Sequence, residues 1–125
     1  MSTGVAWVGI RTDAVTETAA LLREALGLSA RLESDDFVVL DAPNGDRVEL
    51  FGPNGPQPPH QFERNAVVVG FAVPDIEAAR ARLETVGAEL LGRLEGPPGA
   101  QWQHFRGPDS LVYELTERSS GDLDR

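Results

Sequence analysis

Two glutamates sit at the same place in two similar stretches, Glu49 in PNGDRVEL and Glu114 in PDSLVYEL, 65 residues apart (114 − 49). In each stretch a proline-led turn precedes a short apolar run, and the glutamate interrupts that run at matching depth. Side chains alternate along a strand, so each glutamate faces away from its apolar neighbours. Two carboxylates aimed into one enclosed space raise at least one pKa, and such a group can read a ligand's charge or act as a general base. His104, in WQHFR, is a third group able to move a proton, although a lone histidine equally serves as a structural donor. Glu49, Glu114 and His104 are therefore the candidate catalytic residues. The alternative for the glutamates is that they only hydrogen-bond Arg11, Arg106 or water.

The elements that carry these groups occur twice. VAWVGIRT reads as a strand, with Asp13 after it as a helix N-cap. In AVTETAALLREALG, Val15, Ala19, Leu22 and Leu26 recur at helical spacing, and Gly27 suits the left-handed C-terminal turn. The second copy starts at AVVVGFAV and continues through PDIEAARARLETVG, with Ile76, Ala79, Leu83 and Val86 on one face and a stop at Gly87. Extended segments follow each helix: ARLES, DFVVLDA and RVELF, then AELLGRLE, QWQHFRG and LVYELTE. The fold class is α+β, one domain over residues 4–118 built of two tandem βαβββ modules, 4–53 and 65–118. A proline-rich linker, 54–64, joins them, since its prolines suit neither helix nor central strand. His60 lies in that linker and is expected to be solvated, and residues 119–125 read as a frayed polar tail. Each module buries one sheet face under its helix and leaves the other bare, so pairing of two modules, within a chain or between chains, is expected.

Alternation assigns residues to the bare, concave face. Trp7, Gly9 and Arg11 share it, as do Phe37 and Val39, Val68 and Gly70, Val112 and Glu114, and Trp102, His104 and Arg106. Val48, Leu50, Leu111, Tyr113 and Leu115 face the helices. Trp7, Arg11, Phe37, Val68, Trp102 and Arg106 are the candidate ligand-binding residues. The indoles could simply fill space, yet with Phe37 they form a box suited to a flat or cationic molecule.

The bulk composition narrows the function. The chain has 125 residues and a net charge of −9, and its eleven basic residues are scattered, which makes nucleic acid and anionic membrane poor partners. Net charge of that sign mildly favours a cationic ligand. No cysteine is present, so no disulfide framework or thiolate site exists and a cytoplasmic location is expected. No apolar run approaches the roughly 20 residues that cross a bilayer. Open sheet edges and a shallow cup predict a homodimer.

The layout resembles the vicinal oxygen chelate superfamily, which includes glyoxalase I, bleomycin- and fosfomycin-resistance proteins and extradiol dioxygenases. The resemblance covers about residues 4 to 117 and is carried best by VGFAVPDIEAARARLETVGAEL and WQHFRGPDSLVYELTE. It implies a curved mixed sheet with a concave cup. In metal-dependent members the first strand of each module offers a His or similar ligand and the last strand a Glu. The last-strand carboxylates are present as Glu49 and Glu114, but Trp7 and Val68 stand where the first-strand ligands would be. Neither side chain can ligate a metal. No cofactor is expected, and a divalent metal, if bound, would have Glu49 and Glu114 as its ligands. The expected function is a small-molecule binding protein of the bleomycin-resistance or glyoxalase-like kind, with a degenerate metal site and an organic ligand in an aromatic, carboxylate-bearing cup. The alternative is an enzyme of the same fold, a lyase, isomerase or cyclase, using Glu49, Glu114 or His104 for proton transfer.

Overall fold

A computed structural model describes residues 3–117, so the tail at 119–125 lies outside the described residues. The first module runs β1 (Gly4–Arg11), α1 (Val15–Leu26), β2 (Ser29–Glu33), β3 (Phe37–Asp41) and β4 (Arg47–Phe51). The second repeats the order as β5 (Val67–Val73), α2 (Ile76–Thr85), β6 (Glu89–Glu95), β7 (Trp102–Arg106) and β8 (Val112–Glu117). The strands form one eight-stranded sheet in the order β2-β3-β4-β1-β5-β8-β7-β6. β1 pairs with β4 and β5 with β8 in parallel, and every other pairing is antiparallel. The two modules thus join within one chain, edge to edge through β1 and β5.

Apolar residues of β3, β4 and β8 alternate onto the helix side. Val38 and Leu40 of β3 and Leu50 of β4 pack with Val15 and Ala19 of α1, while Leu115 packs with Ile76 and Ala79 of α2. Each helix therefore covers the outer face of its own module. Between these apolar positions fall Phe37, Val39, Asp41, Arg47, Glu49 and Phe51, paired across β3 and β4 on the inner face.

The helix ends differ from the sequence expectation in three places. Asp13 does not cap α1: the N-cap position is Ala14, with no side-chain cap. Asp13 instead pairs with Arg11 at 2.9 Å, and Thr12 Oγ1 accepts from the Ala14 N–H. Leu26 is 64% exposed and Val86 78% exposed, because one is the last residue of α1 and the other follows the end of α2, where the chain turns off the sheet at Gly27 and Gly87. Both glycines have left-handed φ, 77° and 88°, a conformation in which a Cβ would be strained. Asp75 does cap α2, accepting from the Ala78 N–H at 3.1 Å. No described helix is long and apolar enough to cross a membrane.

These burial differences predict different costs for two leucine substitutions. Leu40 is fully buried, so Leu40→Ala should lower unfolding free energy by roughly 2–5 kcal/mol. Leu26→Ser should change it by no more than about 0.5 kcal/mol. Urea unfolding followed by circular dichroism measures both, and similar losses at the two positions would contradict the helix orientation described here.

Candidate functional site

The seam between the modules carries the centre of the inner face. Trp7 on β1 stands opposite Gly70 on β5, and Gly70 stands opposite Glu114 on β8. With glycine between them, the indole lies flat across the seam and its Nε1–H donates to Glu114 Oε2 at 2.9 Å. A Cβ built on Gly70 would collide with indole Nε1, and one on Gly9 would meet the far edge of the same ring. The two glycines are the floor on which the indole rests. Trp7 is only 6% exposed, packed against Val68 and Phe51.

Glu114 accepts two further hydrogen bonds. Thr116 Oγ1 donates to Oε2 at 2.6 Å, and His104 Nε2 lies 3.0 Å from Oε1. An ionised carboxylate only accepts, so His104 turns an Nε2–H to it and leaves Nδ1 towards the linker. Nδ1 lies 2.9 Å from His60 Nε2. The polar chain runs His60, His104, Glu114, Trp7 and connects the linker to both modules. The expectation that His60 is solvated is therefore corrected: three prolines at 56, 58 and 59 bend the linker back over the cup, bringing the ring edge-on to His104 with centroids 4.9 Å apart. Burial, and secondarily the neighbouring His104, push the His60 pKa down, which favours the neutral ring.

Glu49 has a different environment. Burial, and secondarily the charge of Glu114, push its pKa up to about 7, with Arg47 opposing. No hydrogen bond enters that balance. Of two carboxylates in one cup, one is saturated with donors and the other is held near neutrality, free to gain or lose a proton.

A cavity of about 620 Å³ opens on these groups, within the roughly 300–1,000 Å³ of small-molecule sites. Glu49, Glu114, His104, Trp7, Phe37 and Trp102 line it, so the inner-face assignment brings six of the nine candidates together. Trp102 is 38% exposed and stands at the rim. The other three are not in the lining. Val68 is buried beneath Trp7 in the apolar cluster. Arg11 is tied to Asp13, and Arg106 is tied to Glu63 and Glu89 on the outer rim. Neither arginine reaches Glu49 or Glu114.

Other lining residues had no role in the sequence reading: Arg31, Arg47, Gln57 and Gln61. Arg47 was accessible to the alternation argument, being two residues before Glu49 on one strand. Arg31 was not, because β2 shifts register between Ala30 and Leu32 and the bulge turns its side chain inward. Gln57, Gln61 and His60 belong to the linker, whose path over the cup no periodicity announces. A smaller cavity of about 260 Å³, lined by His60, Arg93 and Glu95 among others, lies on the far side of Trp102 and His104.

A sequence model of the glyoxalase/bleomycin resistance protein/dioxygenase superfamily matches residues 4–115. The chain belongs to that superfamily. Solved structures of similar fold include a hypothetical protein from Bacillus halodurans, 18% identical over 96% of this chain and 97% of that one, with TM-score 0.72. A superfamily member from Vibrio splendidus is 19% identical over 93% and 99%, TM-score 0.66. A Streptomyces coelicolor methylmalonyl-CoA epimerase bound to 2-nitronate-propionyl-CoA is 16% identical over 96% and 100%, TM-score 0.68. At these identities the likeness shows the fold alone. No match was found among curated proteins.

The four-ligand metal site expected of the superfamily does not fit these residues. Trp7 and Val68 hold the first-strand positions, and both oxygens of Glu114 already accept protein donors. Among the described residues no group of three or more His, Cys, Asp or Glu side chains is arranged to hold a metal ion. One His–Glu pair and a separate Glu49 remain, too few donors for a closed site.

Two measurements follow. Glu49 binds its proton more tightly folded, pKa about 7, than unfolded, about 4.5. Its contribution to stability is therefore fully present below pH 4.5 and is lost as pH rises through 7. Glu49→Gln should remove this slope, gaining roughly 2–3 kcal/mol over wild type at pH 8 and little at pH 4. Urea titrations at the two pH values read it, and an equal difference at both would refute the assignment. Separately, Gly70→Ala should lift the indole, and loss of the downfield Trp7 Nε1–H proton resonance in NMR spectra would register its parting from Glu114.

Proposed function

We propose that the chain binds a small, flat organic molecule in the cup between its two modules, with no metal ion bridging them. The hydrogen bond from Trp7 to Glu114 carries this reading. It converts the position of a metal ligand into a ring surface and uses the carboxylate that a metal would need. Phe37 and Phe51 pack as a tilted pair at 4.9 Å between centroids beside that surface, and Trp102 stands at the rim, so a planar ligand finds aromatic contacts on more than one side.

Glu49 favours a second reading. A carboxyl near pKa 7 that no protein donor occupies can take a proton from a bound molecule and return it. In that case the cup is the site of an isomerase or lyase: Glu49 exchanges the proton, and the fixed His104–Glu114 pair helps to orient the ligand. The reactions of the epimerase and the other enzymes of this fold belong to those proteins, because one scaffold hosts many chemistries.

Tryptophan emission tests the binding reading. Screening planar metabolites and antibiotics should find saturable quenching that Trp102→Ala reduces and that Trp7→Phe, which keeps the packing, alters in amplitude. If no compound quenches, and acrylamide reaches Trp102 no better than Trp7, the cup is closed and the reading fails. Elemental analysis after gentle purification should give far less than one transition metal per chain; about one Mn, Zn, Ni or Fe resisting dialysis would overturn the metal-free cup. For any ligand found, deuterium uptake from solvent into it, lost in Glu49→Gln, separates the enzyme from the binding protein.

A further inference from the structure

We propose that Arg31, Arg47 and Gln61 form an oxyanion seat at one end of the cup, so that the flat molecule bound there is an organic acid carrying a carboxylate, phosphate or sulfonate head. This deepens the binding reading above and rests on it.

Arg31, Asp41 and Arg47 lie on the neighbouring strands β2, β3 and β4, with Asp41 directly opposite Arg47. Arg31 Nε donates to Asp41 Oδ2 at 2.8 Å. Arg47 Nε stands 3.8 Å from Asp41 Oδ1, too far for a hydrogen bond. Asp41 is the one carboxylate that the two guanidiniums share, and Glu49, the next acid along β4, acts on Arg47 through its charge and not through a hydrogen bond. Arg47 Nε and Asp41 Oδ1 are both buried and without a partner. From the other side of the cup the linker supplies Gln61, 4% exposed, whose Nε2 is also buried without a partner. Arg31, Arg47 and Gln61 all line the cavity.

A buried donor without an acceptor is costly to the fold. Two such donors, on residues that line one cavity and beside two guanidiniums that share one aspartate, point to an acceptor that comes from outside the chain. An oxyanion suits them, since its oxygens match the planar guanidinium fork and accept charge-assisted bonds. Gln57 Oε1 is an unpartnered acceptor in the same lining and can take an N–H or O–H from the rest of the ligand. Glu49 lies in the same lining beside Arg47 and, with its pKa at about 7, can hold a proton beside a bound anion, whereas Glu114 and Glu117 repel one, so the ligand sits with its acid at the arginines and its ring over Trp7. The net charge of −9 favours a cation for the chain as a whole; at this end of the cup the local donors reverse that preference.

The test uses the full 15N-labelled chain, titrated with 2-naphthoate, its neutral isostere 2-naphthamide and inorganic phosphate, reading the indole and arginine Nε–H resonances. Naphthoate should shift both sets saturably and bind at least roughly tenfold tighter than naphthamide, the scale of a hydrogen bond to a charged group. The Arg31→Gln, Arg47→Gln double variant, its fold checked by its unfolding midpoint, should bind naphthoate no better than naphthamide. Asp41→Asn, which removes the competing carboxylate, should tighten naphthoate binding; unchanged or weaker binding contradicts the seat. Equal affinities of the acid and the amide for wild type would overturn the seat while leaving the cup as a ligand site. Phosphate shifting Arg47 alone, with neither naphthyl compound moving an indole, would overturn the cup reading and support the seat. No shift with any probe would overturn both.

Discussion

The hydrogen bond between the Trp7 indole and the Glu114 carboxylate joins residues 107 positions apart in the chain, and the inner surface of the protein is arranged around it. It spans the β1–β5 seam where the two modules meet, and it is possible only because Gly9 and Gly70 leave room for a flat ring. Backbone pairing alone would hold the modules edge to edge. The indole adds a buried, directional contact that fixes one carboxylate, and through it His104 and then His60. The indole thus ties the two modules through a side chain and leaves an aromatic floor.

Duplication of a module produces two carboxylates of equal sequence position, but the surroundings of the two differ. Glu114 receives three protein donors and is committed to structure. Glu49 receives none and is buried beside a like charge, so its proton affinity rises towards neutrality. The same asymmetry extends to the cations. Arg11 and Arg106 are engaged at the rim, whereas Arg31 and Arg47 face into the cavity and share a single aspartate. The cup thus holds one donor-saturated carboxylate, one without a donor and two arginines around a single aspartate, with aromatic rings among them.

The linker contributes more than connection. Its prolines limit the paths it can take, and the path adopted brings Pro56, Pro58, Gln57 and Gln61 into the lining while His60 caps the histidine–carboxylate chain. A surface loop of ordinary composition would leave His104 Nδ1 to water and the cup wider. The candidate site is therefore built from three sources: last-strand carboxylates, seam aromatics and a folded-back connection.

The repeated pattern of strand, helix, glycine and three strands was legible in the sequence because apolar periodicity and turn chemistry are local properties, and inner-face residues such as Glu49, Glu114, Phe37 and His104 followed from alternation alone. The presence of Trp7 and Val68 where the resemblance would place metal ligands was equally legible, being a matter of residue type. Four things depended on tertiary structure. That β1 pairs with β5 within the chain, and so brings Trp7 to Glu114, is a long-range register that neither segment encodes by itself. The inward turn of Arg31 depends on a bulge, which breaks the alternation on which the sequence argument relies. The capture of Arg11 by Asp13, with the loss of the expected cap, reflects competition between two partners for one carboxylate. The fold-back that brings His60 to His104 has no periodicity at all, since prolines restrict backbone angles without specifying where a chain will land.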